Sequence, residues 1–191
     1  MKEIDVEMAL KKLHYSHRWL EYGFVDDQML NDQLRALESD SVGGLEHYRF
    51  DAFRKILTNL AHLDSLTIER FIELANLDED QTMAEAALGL LARQSSLTQE
   101  QLDRLKEHPA FRDDQLQKII NRIQLSRELD TSNLTDEFIN RIISMRDDSV
   151  QRKLVNRLDI SREQLELLTK LGVNRAVRNL AGAKLRRFGK T

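Results

Sequence analysis

His14, His17 and Glu21 stand three and four residues apart. On one continuous helix they share a face, and two imidazoles with a carboxylate are a ligand set that zinc accepts. No glutamate follows His14 in the spacing of a helical zinc protease, and no second ligand cluster completes the set. The plainer reading is a pair of solvated histidines beside Arg18. We therefore expect no metal here.

Aromatic residues suggest a second chemistry, recognition of a partner. Tyr15, Trp19, Tyr22, Phe24, Tyr48, Phe50 and Phe53 are seven of the eleven aromatics, all within the first 53 residues. Tyr, Trp and Arg favour the energetic centres of interfaces. Tyr22 and Tyr48, with Arg18 and Arg49, are the candidate partner-binding residues. The loop 39–44 (SDSVGG) next to them is a candidate part of such a site. The alternative is that these rings pack a large N-terminal cap onto its neighbour.

A third chemistry is charge. From Lys170 onward there are seven basic residues and no acidic one, while the remainder holds 22 basic against 32 acidic. Arg175, Arg178 and Arg186 fall on one helical stripe, and Lys184, Arg187 and Lys190 extend it. These six are the candidate polyanion-binding residues, with nucleic acid as the alternative partner. Basic side chains also favour the last turns of a helix. Acidic residues gather at Asp64, Glu69, Glu73, Asp78, Glu79, Asp80 and Glu85. Paired with the basic tail of a second copy, they would give a head-to-tail homo-oligomer.

Catalysis lacks its ingredients. There is no glycine-rich phosphate loop, no nucleophile elbow and no convergent constellation of acid, base and nucleophile. The chain has no cysteine, which removes disulfides, thiolate chemistry and zinc-thiolate sites together. We expect no enzyme and no cofactor. Met1 to Leu13 lacks the apolar core of a signal peptide, and nothing approaches the ~18 apolar residues of a membrane span. The expectation is a soluble, cytoplasmic protein with no membrane partner.

Whatever does the binding must be held by helices. One proline and seven glycines in 191 residues leave little to break them, and Leu, Ala, Glu, Arg, Lys and Gln are strong helix formers. The first helix is expected over Lys2 to Tyr22, ended by Gly23, and the chain then falls into pairs. Each first helix opens on the same pattern. Leu66-Thr67-Ile68-Glu69-Arg70-Phe71 returns as Leu97-Thr98-Gln99-Glu100-Gln101-Leu102, Leu134-Thr135-Asp136-Glu137-Phe138-Ile139 and Ile160-Ser161-Arg162-Glu163-Gln164-Leu165. A fainter copy is Val25-Asp26-Asp27-Gln28-Met29-Leu30. An oxygen-bearing N-cap accepts an orphan backbone N–H, and an apolar residue before it can pack on the one four after the cap. The predicted caps Asp26, Thr67, Thr98, Thr135 and Ser161 are 41, 31, 37 and 26 residues apart.

Helix pairs at such a period must stack to bury their apolar faces. Asp148-Ser149-Val150-Gln151-Arg152-Lys153-Leu154 and Asn174-Arg175-Ala176-Val177-Arg178-Asn179-Leu180 resemble the turn and second helix of a HEAT unit. The chain thus resembles the HEAT/armadillo class of α-solenoids. That resemblance implies an all-α fold, a right-handed α-α superhelix. Residues 1–191 would form one domain, with a capping helix at 1–24 and helix pairs at 25–63, 64–95, 96–132, 133–159 and 160–188. It also implies a scaffold binding a protein partner through a concave surface lined by the second helices.

Overall fold

The computed structural model describes residues 5–39, 44–59 and 62–188. They are all-α, with twelve α-helices, one 3-10 turn and no strand among them. Two compact units form, Met1–Ile120 and Asn121–Thr191. The boundary falls inside the 96–132 pair.

The N-terminal unit begins with α1 (Val6–Leu13) and the single turn α2 (Arg18–Glu21). The expected continuous first helix is broken at His14, which is left-handed at φ 59°. Its backbone N–H and that of Tyr15 close α1 on Lys11 and Leu10 carbonyls, a C-terminal stop of the left-handed kind. The break lets Tyr15 and Trp19 both turn inward. Gly23, at φ 71°, then takes a left-handed turn that other residues adopt only under strain.

Helices α3 (Asp27–Ser39), α4 (Glu46–Asn59), α5 (Ser65–Asn76), α6 (Gln81–Ala92) and α7 (Gln99–Glu107) follow. Asp26 accepts the Met29 N–H at 2.7 Å, as expected of a cap. The α5 cap is a correction. Asp64, not Thr67, accepts the backbone N–H, that of Thr67 itself, at 2.7 Å. Of two cap-competent residues three apart, the charged one also complements the helix dipole. Leu66 is consequently inside the helix and exposed, so it forms no staple.

The core of this unit is aromatic. Phe53 lies 4.5 Å from both Trp19 and Phe71, Tyr15 lies 4.9 Å from Trp19, and Phe24 joins Trp19 to Phe71. Edge and tilted pairs of this kind add to plain burial by about 0.5–1.5 kcal/mol each. Small residues on α6, Ala84, Ala87 and Ala92, are buried where α6 packs on α4 and α5. After a 3-10 turn at Pro109–Phe111, α8 (Asp114–Thr131) begins.

The C-terminal unit holds α9 (Asp136–Met145), α10 (Asp148–Asn156), α11 (Arg162–Leu171) and α12 (Arg175–Arg187). Their caps are Thr135, Asp147, Ser161 and Asn174, with Thr135 and Ser161 at the predicted positions. The core is aliphatic: Leu129, Ile139, Ile142, Leu154, Val155, Leu165, Leu168 and Val177, with Phe138 its one ring.

Like helices stack on like. First helices α9 and α11 pack together, as do second helices α10 and α12, and α4 and α6 in the other unit. This is compatible with a helical-repeat architecture. Repetition extends to hydrogen bonds. Gln101 and Gln164 each close a capping box and also donate to the carbonyl preceding the previous first helix, Leu63 at 2.6 Å and Leu134 at 2.9 Å. Four residues after their caps, Gln117 and Gln151 donate to carbonyls at the end of the preceding first helix.

Candidate functional site

The four partner-binding candidates do not form one surface patch. Arg49 is buried, with its side chain and that of Asp78 each 2% exposed. Its Nε and Nη2 donate to the two Asp78 oxygens at 2.7 and 3.0 Å. That bidentate fork fixes α4 to the α5–α6 turn, so Arg49 has no surface to offer a partner. Only its Nη1 lacks a hydrogen-bond acceptor among the described residues.

Arg18 and Tyr22 do come together, on Glu73. Arg18 pairs with that carboxylate, the Tyr22 hydroxyl donates to it at 2.6 Å, and Arg70 covers the Tyr22 ring at 4.9 Å. Tyr48 is half-buried, and its carbonyl accepts from the Tyr15 hydroxyl and from Gln33. Burial pushes the Tyr15 phenol well above its usual range. The loop 40–43 lies outside the described residues.

The histidine set is also dispersed. With α1 ended at His14, the spacing that put both imidazoles and Glu21 on one face is gone. His14 meets Glu79, and His17 meets Glu7 at 2.8 Å. No group of three or more metal-capable side chains exists among the described residues.

The acidic cluster is used within the unit. Asp64 and Asp80 are caps, Glu73 holds Arg18, Asp78 holds Arg49, Glu79 meets His14, and Glu85 accepts from Gln81. Hydrogen bonding from Thr67 keeps the Asp64 carboxyl below the usual range. A head-to-tail contact through these acids would have to compete with those bonds.

In the C-terminal unit the basic candidates divide. Arg178 donates to the Gly172 carbonyl at 2.7 Å. Lys184 donates to the carbonyls of Val155 and Arg157, at the end of α10. Both are therefore fixed within the fold, and desolvation lowers the Lys184 amine from its ordinary range. Arg175, Arg186 and Arg187 make no ion pair among the described residues, and Lys190 lies outside them. Nearby carboxylates are matched instead to cations or amides: Asp159 to Arg157, and Asp148 to Arg152 and Asn174, each held below the usual range by those bonds.

One concavity combines apolar walls with basic side chains. It is a groove of about 480 Å³, open to solvent, lined by Val155, Asn156, Leu180, Ala183, Lys184, Arg187 and Phe188. Its origin is a difference in helix length. Asn174 donates to Asp148 at 2.8 Å, setting the starts of α12 and α10 level. α10 has nine residues and α12 thirteen. The last turn of α12 thus overhangs α10 by about 6 Å, four residues at ~1.5 Å each. Lys184 fills the step by capping α10, and Phe188, 43% exposed, forms its lip. Two residues after Asn156, Leu158 is 97% exposed.

Sequence reasoning had named Lys184 and Arg187 but missed the groove. The available signal was the unequal spacing from cap to helix end in the two second helices. A second hollow, of about 320 Å³ near Ser132 and Asn133, is polar and bridged by Arg141 on Glu128. No family model, no curated protein and no solved structure matches the chain.

Proposed function

We propose that this protein is a non-enzymatic, HEAT-like helical-repeat scaffold of the cytoplasm that binds a protein partner, and that α10 and α12 carry the binding surface. The observation supporting this reading is the groove above: apolar walls, an exposed phenylalanine at the lip, and Arg187, which makes no ion pair among the described residues. Exposed apolar area rimmed by polar groups is what interaction sites have in common. The absence of cysteine fits a reducing compartment.

Nucleic acid is the competing partner. Of the six basic candidates, however, two donate to backbone carbonyls, and the groove offers one ring for stacking where single-strand binders use several. The test is affinity capture by the full chain from its own cells, with nuclease treatment, beside the variant Phe188→Glu. We expect a nuclease-resistant protein partner that the variant loses. Capture of nucleic acid alone, or capture unaffected by the variant, contradicts the reading.

A further inference from the structure

We infer that the occupant of the α10–α12 groove is an acidic amphipathic helix of the partner, seated by its apolar face on Leu180, Ala183 and Phe188 and held by Arg187. This rests on the protein-binding reading above and adds the chemistry of the ligand.

Shape comes first. Second helices α10 and α12 pack side by side, and the valley between two such helices accepts the ridge of a third. The groove is open to solvent and mostly apolar in its lining. A helix meeting it with residues at i, i+3, i+4 and i+7 covers the walls while its polar face stays in water.

Charge sets the sign of the ligand. Among the described residues no acidic side chain lines the groove, and both charged lining residues are basic. Helix C-termini normally repel acids, since their free carbonyls carry about half a negative charge. Here Lys184 covers the α10 carbonyls of Val155 and Arg157, so that obstacle is removed where an acidic side chain would arrive. The surrounding unit holds 15 basic against nine acidic residues over Asn121–Thr191, a net +6. A field of that sign draws an acidic ligand in and raises its rate of association.

The competing ligands fit less of this. An oligonucleotide would satisfy Arg187 but leave the apolar walls uncovered. A basic or neutral helix would cover the walls and leave Arg187 unanswered. A second copy of the chain would offer its acidic cluster, whose members already cap helices and hold Arg18, Arg49 and His14.

The experiment is fluorescence anisotropy with the full chain and four labelled probes. The first is a synthetic helix of about 18 residues, about five turns, with leucines on one face and glutamates flanking it. The second replaces glutamate with lysine, the third replaces leucine with glutamine, and the fourth is oligothymidine. We expect only the first to bind well, with the others at least roughly tenfold weaker, and its affinity to fall with added salt. Phe188→Ala and Arg187→Glu should each weaken it roughly tenfold, while Arg175→Glu, at the far end of α12, should leave it nearly unchanged. Circular dichroism melts should match the parent for all three exposed positions.

Equal binding of the lysine probe, tighter binding of oligothymidine, binding indifferent to Phe188→Ala and Arg187→Glu, or no binding by any probe overturns the inference. If capture from cells still yields a Phe188-dependent protein, the scaffold reading stands while this ligand assignment fails.

Discussion

Arg49 in the N-terminal unit and Arg187 in the C-terminal unit are the same side chain in opposite circumstances. Arg49 is sealed against Asp78, whereas Arg187 stands at a groove that no carboxylate lines among the described residues. The units around them differ in the same way. The first holds 14 basic against 23 acidic residues over Met1–Ile120, the second 15 against nine. Yet the strongly acidic unit offers little free acid where its acids cluster, because they cap helices and hold Arg18, Arg49 and His14. In the basic unit Arg175, Arg186 and Arg187 make no ion pair among the described residues. Net charge therefore points to a binding surface only after the internal bonds have been subtracted.

The comparison breaks most sharply at the buried pair. Asp78→Ala leaves the Arg49 guanidinium buried without its partner and should cost about 3–5 kcal/mol. Urea unfolding followed through Trp19, the single tryptophan, reads this directly in the N-terminal unit. The matching bidentate pair in the other unit, Arg141 with Glu128, is half-exposed. There, Arg141→Ala should cost no more than about 1 kcal/mol. Similar losses at the two pairs would mean that the units do not differ in how they use charge.

A smaller effect sharpens what the units share. Gln151 is fully buried, donates to Ile142 and Ile143 and accepts from the Val173 N–H at 2.8 Å. Gln151→Ala strands those groups and should cost about 1–3 kcal/mol by urea unfolding followed by circular dichroism. Its counterpart Gln117 is half-buried and bonds two carbonyls, Lys106 and Phe111, each at 2.8 Å. Gln117→Ala should cost less, about 0.5–1.5 kcal/mol. A silent Gln151→Ala would remove the hydrogen-bonded repeat from the account.

The all-α fold, most helix starts and the pairing of helices were legible in the sequence because each has a local cause. Thr98, Thr135, Ser161, Asp147 and Asn174 act on backbone within three residues, and apolar spacing marks the face that each helix buries. Breaks without a local cause were not legible. His14 has neither glycine nor proline beside it, and its left-handed turn follows from the inward packing of Tyr15 and Trp19. Thr67 lost the α5 cap to Asp64, a contest between two suitable residues that sequence alone leaves open. Arg49 read as a surface residue because its carboxylate, Asp78, is distant in sequence. The groove was hidden for a related reason: it arises from a four-residue difference between two helices that only their packing brings side by side.

The central claim is that the C-terminal unit, at the overhang of α12 beyond α10, is where the partner binds. Hydrogen–deuterium exchange on the full chain, alone and with the captured partner, tests it most directly. The account predicts new protection confined to the last turns of α10 and α12, around Val155–Leu158 and Leu180–Phe188. Protection centred instead on Arg18, Tyr22 and Arg70, with α10 and α12 unchanged, would contradict it.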